Sequence, residues 1–185
     1  MNKTDTRRAL LIVFALGALP YLAALGAGFV FDDAEAVVAN PLVTGEVGLA
    51  QLMERDFWGR SADATIGSYR PLAVLTFIID SALGGGAPWL FHTTNILLHS
   101  LCCVMLFVYL ADRFGHRLAI VSTGLFCVHA VHTENIAAIV ARADVLATLF
   151  LLLTLHLARA QTWHRWLVGP CFLLALLSKE VAVAG

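Results

Sequence analysis

Apolar runs of about membrane length recur along the chain, and they dictate helical structure. A backbone inside hydrocarbon has no water to bind its N–H and C=O groups, so it satisfies them internally as helix. About 20 residues suffice for one crossing. The first run covers residues 9–29, and four more cover 90–111, 118–131, 145–158 and 167–183. Of the 185 residues, 59% are hydrophobic and 14% are charged. A soluble domain carries about 25% charged residues, so a globular core does not account for this balance. The expected fold class is all-α, a polytopic membrane protein with about five transmembrane helices.

The charges order these runs. Lys3, Arg7 and Arg8 precede the first, which is longer than a signal-peptide core and leads into Phe29-Val30-Phe31 without a clear cleavage site. An uncleaved anchor is expected. Residues 32–70 are mostly polar, and Asp32-Asp33, Arg55-Asp56 and Arg60 exclude a span there. Residues 71–83, closed by Gly84-Gly85-Gly86, would reach only about 20 Å as a helix against a core of ~30 Å. They read as an interfacial helix inside an outer loop, 32–89. With that assignment Lys3, Arg7, Arg8, Arg113, Arg117, Arg159 and Arg165 all fall on the cytoplasmic side, as basic residues near spans do. Five crossings with a cytoplasmic N-terminus follow.

Other classes drop out. The net charge of −1 offers nothing to nucleic acid. Cys102, Cys103, Cys127 and Cys171 lie inside apolar runs without CxxC spacing, so they read as packing residues rather than zinc ligands or a disulfide framework. The sequence stops inside an apolar segment, at Val181-Ala182-Val183-Ala184-Gly185, which suggests a fragment of a longer protein.

The expected topology gathers His92, His132, Glu134, Asn135, Arg142, Asp144, Lys179 and Glu180 at the outer boundary with the long loop. Ionisable groups near lipid are costly unless they pair or face water, which makes them site candidates. Asp32-Asp33 sits just past the first span, where a carboxylate can act as general base, hold a divalent ion, or merely cap a turn. His92, Asn95 and His99 share one helix face, with His99 about two turns into the membrane. His129, His132 and Glu134 do not form the HExxH zinc motif. Arg142 with Asp144, and Lys179 with Glu180, could be self-neutralising pairs. Alternatively, Arg70, Arg142 and Lys179 could clamp a phosphate, the arginines bidentately and the lysine as a point charge. A cationic outer pocket beside a carboxylate suits a lipid-phosphate substrate.

One ordered series of blocks carries a resemblance. Phe31-Asp32-Asp33 is followed by Ala39-Asn40-Pro41, Phe57-Trp58-Gly59, Ser68-Tyr69-Arg70-Pro71-Leu72 and His92-Thr93-Thr94-Asn95-Ile96-Leu97-Leu98-His99. Then come Phe126-Cys127-Val128-His129-Ala130-Val131-His132-Thr133-Glu134, Ala141-Arg142-Ala143-Asp144 and Leu177-Ser178-Lys179-Glu180. From Phe29 to Glu180 the series resembles the N-terminal membrane region of the transmembrane and TPR-repeat-containing protein O-mannosyltransferases and their bacterial relatives, which are GT-C glycosyltransferases. The resemblance implies that residues 1–185 are the first part of a GT-C membrane domain, inactive in isolation. The whole enzyme would move a sugar, mannose in the eukaryotic family, from a polyprenyl- or dolichyl-phosphate carrier to a protein Ser/Thr hydroxyl.

That reaction would take place on the periplasmic face of a bacterial inner membrane or the lumenal face of the endoplasmic reticulum. The family's catalytic carboxylate in the first outer loop falls on Asp32 or Asp33, and its second acidic position on Glu134. Arg70, Arg142 and Lys179 match family positions suited to the leaving phosphate, with His92, His99, His132, Asp144 and Glu180 in the same blocks. Partners would be the lipid-linked donor, a protein acceptor and membrane lipid. No cofactor is demanded, and a divalent metal on Asp32 or Asp33 stays open. Ala130 replaces the family's usual proline. A non-catalytic scaffold presenting C-terminal repeats is the alternative. A transporter would need polar groups at mid-membrane, where only His99 and Asp80 qualify.

Overall fold

The computed structural model describes residues 3–159 and 163–184, and these are helical, with no strand among them. Helix α1 (Lys3–Ala18) continues directly into a 3-10 stretch, Leu19–Gly26. Pro20 stands at the start of that stretch. Its ring clashes with the carbonyl four residues back and it has no N–H to donate, so the α-helix tightens there. The outer loop then makes short turns. A π-helical segment spans Ala34–Val38, α2 is Pro41–Thr44, and a 3-10 segment spans Leu49–Met53.

Helix α3 (Pro71–Gly84) begins with a proline in its first turn and ends where Gly85 and Gly86 take left-handed conformations. Both choices suit those positions. Helix α4 (Pro88–Phe114), at 27 residues, is about 40 Å long. Gly115 separates it from α5 (His116–Val128). After α6 (His132–Ala137) and a 3-10 turn, Ile139–Ala141, come α7 (Arg142–Ala158) and α8 (Val168–Ser178), closed by a 3-10 stretch Glu180–Ala184.

Helices α1 and α4 run antiparallel, whereas α4 and α7 run parallel. Val13 packs with Phe107, Gly17 lies against Ser100 and Cys103, and Tyr21 meets Ile96 and His99. A Cβ on Gly17 would stand 3.0 Å from the Ser100 Cα, so the missing side chain sets how closely α1 and α4 approach. Between α4 and α7, Asn95 bonds Arg142 near one end, while Arg159 lies over Tyr109 near the other. The Arg113 and Arg159 termini therefore lie at the end opposite Asn95 and Arg142.

Three helices are long and apolar enough to cross a membrane: Asp5–Gly26, Pro88–Phe114 and Ile139–Ala158. The runs expected at 118–131 and 167–183 form shorter helices. The first stops at Val128 because His129 turns extended, and the second stops at Ser178 because Lys179 does the same. Gly185, the last residue of the terminal apolar segment, lies outside the described residues.

Candidate active site at one end of the helices

Four separate stretches meet around one cavity of about 650 Å³. The turn after the first span contributes Val30, Phe31 and Asp32. The loop before α3 contributes Phe57, Trp58 and Arg70. Glu134, Asn135, Ala138, Val140, Ala141 and Asp144 come from α6, the turn that follows it and the start of α7, and Lys179 from the end of α8. That volume is within the range of small-ligand sites.

The tandem acidic pair splits into two environments. Asp33 is fully buried: one oxygen accepts the Val30 N–H at 3.1 Å and the other the Val140 N–H at 3.0 Å. Both oxygens are thereby occupied by backbone. Asp32 is exposed and lines the cavity, as does Glu134. Among the described residues, no hydrogen bond or ion pair reaches either of these two carboxylates.

The cations divide as well. Lys179 Nζ donates to both Asp144 oxygens, at 2.6 and 2.7 Å. Arg70 donates to Glu180 from Nε at 3.3 Å and Nη2 at 3.1 Å, with its guanidinium 5.0 Å from the centre of the Phe57 ring. The bond to Arg70 holds the Glu180 carboxyl below the usual range, aided by the charges of Arg70 and Lys179. Both cations thus sit at the cavity with a carboxylate that an incoming anion can replace.

Arg142, read from the sequence as a third phosphate ligand, does not line the cavity. It is wholly buried, pairing with Asp80 at 2.7 Å and donating to Asn95 Oδ1, Thr76 Oγ1 and the Phe91 carbonyl. Its guanidinium also packs 4.8 Å from the Phe77 ring centre. This side chain ties α3, α4 and α7 together. Asn95 extends the network by donating to the carbonyls of Ile136 and Ala138, which anchors the turn carrying Glu134 and Asn135.

His92 is fully buried beside the Gly28 backbone and stays away from the cavity. His99 and His132 line a smaller neighbouring cavity of about 110 Å³ that shares Asn135 and Asp144 with the first. Their rings lie 5.2 Å apart, with Phe126 against both. On the loop helix α6, burial pushes the His132 imidazole below its ordinary value, and His129 adds to the effect. The Asp33 oxygens are already spent, and no group of three or more His, Cys, Asp or Glu suited to a metal ion exists among the described residues. Sequence reasoning placed Asn135 at the outer boundary but did not single out Trp58 as a cavity residue, nor the unusual backbone of Phe31. For Trp58 and Phe31 the only available signal was their place inside the ordered blocks.

No protein-family model and no solved structure matches the chain. Curated relatives do match. Over 182 residues it is 38% identical to Protein O-mannosyl-transferase F38B6.6 of Caenorhabditis elegans, covering 94% of this chain and 26% of that protein. Human Protein O-mannosyl-transferase TMTC4 is 39% identical over 163 residues, covering 79% of this chain and 22% of the relative. Mouse Protein O-mannosyl-transferase TMTC1 is 43% identical over 160 residues, covering 83% and 17%. The chain spans about a quarter or less of the length of these relatives. Over that segment, the chain is similar to the protein O-mannosyl-transferases.

Proposed function

We propose that this chain forms the catalytic side of a glycosyltransferase that moves a sugar, mannose by analogy with its relatives' names, from a polyprenyl-phosphate carrier to a protein Ser/Thr hydroxyl. The observation that carries this reading is the shared cavity. Two unpaired carboxylates, Asp32 and Glu134, occupy the same 650 Å³ as Arg70 and Lys179. A displacement at an anomeric carbon needs a base for the entering hydroxyl and positive charge for the departing phosphate.

Asp32 is the base in this reading. The acceptor O–H gives its proton to the Asp32 carboxylate as the oxygen forms a bond to the anomeric carbon. The bond from that carbon to the phosphate oxygen breaks, and its electron pair leaves with the lipid phosphate. Lys179 and Arg70 then exchange Asp144 and Glu180 for phosphate oxygens. Glu134 sits by the entering group, where it orients the acceptor.

The basic residues at the far helix ends support a cytoplasmic N-terminus and a site on the periplasmic or lumenal face. A non-catalytic scaffold has no need of these groups in one cavity.

The test compares Asp32→Asn with Asp33→Asn in the full-length protein, with dolichyl-phosphate mannose as donor. Asp32→Asn should lower transfer at least about a hundredfold with membrane insertion intact. Normal transfer by Asp32→Asn would remove the assigned base.

A further inference from the structure

Phe31 is the one non-glycine residue with a positive φ among those described, at +45°. For an aromatic residue that conformation is strained, because the Cβ crowds the backbone. Asn or Gly would meet the needs of the turn with less strain. Burial does not offset the strain either, since Phe31 is 95% exposed. The surrounding turn holds it there: the Asp33 N–H donates to the Val30 carbonyl at 2.9 Å, the Ala34 N–H to the Phe31 carbonyl at 3.1 Å, and Asp33 Oδ2 accepts from Val30. The same turn places Phe31 on the edge of the cavity immediately beside Asp32. Backbone strain that buys no packing is found where function requires it.

We propose that Phe31 is a specificity-determining contact for the acceptor polypeptide, selecting an apolar residue next to the Ser or Thr that receives the sugar. This rests on the glycosyl-transfer reading with Asp32 as base. The entering group and the leaving group occupy opposite faces of the sugar ring at the moment of displacement. Asp32 has to reach the acceptor hydroxyl, so the side chain adjacent to it stands on the acceptor side. Arg70 and Lys179 mark the phosphate side. Because the ring projects from the cavity edge, it meets the part of the acceptor that stays outside, namely the residues flanking the hydroxyl. A phenyl ring gains most from covering aliphatic surface, and half-exposed Val30 extends the same apolar rim.

The experiment uses the full-length protein, dolichyl-phosphate mannose, and two acceptor peptides that differ only in having Val or Ser beside the accepting Thr. The wild-type protein should favour the Val peptide about tenfold in kcat/KM, a difference that comes from burying a few methyl groups. Phe31→Asn, which tolerates the left-handed backbone, should bring that ratio close to one, chiefly by raising the KM of the Val peptide. With p-benzoylphenylalanine in place of Phe31, light should cross-link the acceptor peptide. An unchanged ratio in Phe31→Asn would overturn the assignment. So would a cross-link formed only to the lipid donor or to another part of the same chain. Absence of transfer by the wild-type protein would instead defeat the function on which the assignment rests.

Discussion

The carboxylate of Asp33 accepts the backbone N–H of Val140, 107 residues away, at 3.0 Å. Through its other oxygen it holds Val30, so a single buried side chain fixes the turn bearing Asp32 against the turn that follows Glu134. The neighbouring carboxylates should therefore fail differently. Asp33→Ala strands two backbone donors, at a cost of about 1–3 kcal/mol each for whichever stays buried, and should lower the thermal midpoint of the solubilised protein. Asp32→Ala should leave that midpoint close to wild type while abolishing transfer. Equal destabilisation by both substitutions would contradict the division of labour.

Arg142 supplies a second contrast. Its guanidinium is enclosed by Asp80, Asn95, Thr76 and the Phe91 carbonyl, with Phe77 beneath it. Arg142→Met leaves Asp80 buried without its partner, which costs about 3–5 kcal/mol. Adding Asp80→Leu should recover much of that loss, since an apolar pair of similar volume replaces a buried ion pair at little net cost. Unfolding of both variants in detergent reads this directly. A double variant no more stable than Arg142→Met would show that the network acts through shape rather than charge.

Part of the cavity lining was legible in the sequence, because charges that end apolar runs sort by side of the membrane, although His92, His132, Arg142 and Glu180, sorted the same way, do not line the cavity. Asp32, Arg70, Glu134, Asp144 and Lys179 emerged that way, and all five line it. Their separate tasks were not legible. Asp32 and Asp33 are adjacent and chemically identical, and only the distant Val140 N–H distinguishes them. Arg142 read as a phosphate ligand because its sequence neighbours give no hint of Asp80, which lies 62 positions earlier and reaches it only once α3 and α7 pack. The helix limits were partly hidden for a related reason. The run at 118–131 contains no Asp, Glu, Lys or Arg, yet the helix ends at Val128, where Tyr21 from the first span bonds the carbonyls of Cys127 and His129.

Two blocks of the sequence series prove to be one structural unit. Asn40 is buried, donates to the carbonyls of Ala36 and Phe57, and accepts the Leu42 N–H that opens α2. Gly59 lies over it with φ +78°, and a Cβ there would stand 2.4 Å from Asn40 Oδ1. Gly59→Ala should thus strain the backbone and displace Asn40 together, destabilising the loop by roughly 1–3 kcal/mol. Limited proteolysis of the 40–60 region should report earlier cleavage than in wild type. Unchanged cleavage would mean that the loop absorbs the methyl group without losing the Asn40 bonds.

The Arg70–Glu180 pair links the loop before α3 to the end of α8 and responds to acid in a defined direction. Hydrogen bonding to Arg70 lowers the Glu180 carboxyl from its ordinary 4.5. A group whose pKa is depressed by folding contributes stability above its unfolded value, and loses it as pH falls through the folded one. The link should therefore be complete from pH 7 down to about 5 and disappear below the ordinary glutamate range. With 58% of the Glu180 side chain exposed, the contribution should be at most about 1 kcal/mol. Glu180→Gln should remove this part of the acid dependence while leaving the rest of the pH profile in place. The measurement is the thermal midpoint of wild type and variant between pH 7 and 3.5. Two curves that stay parallel across the acid limb would show that the pair contributes nothing to holding α8 against the loop.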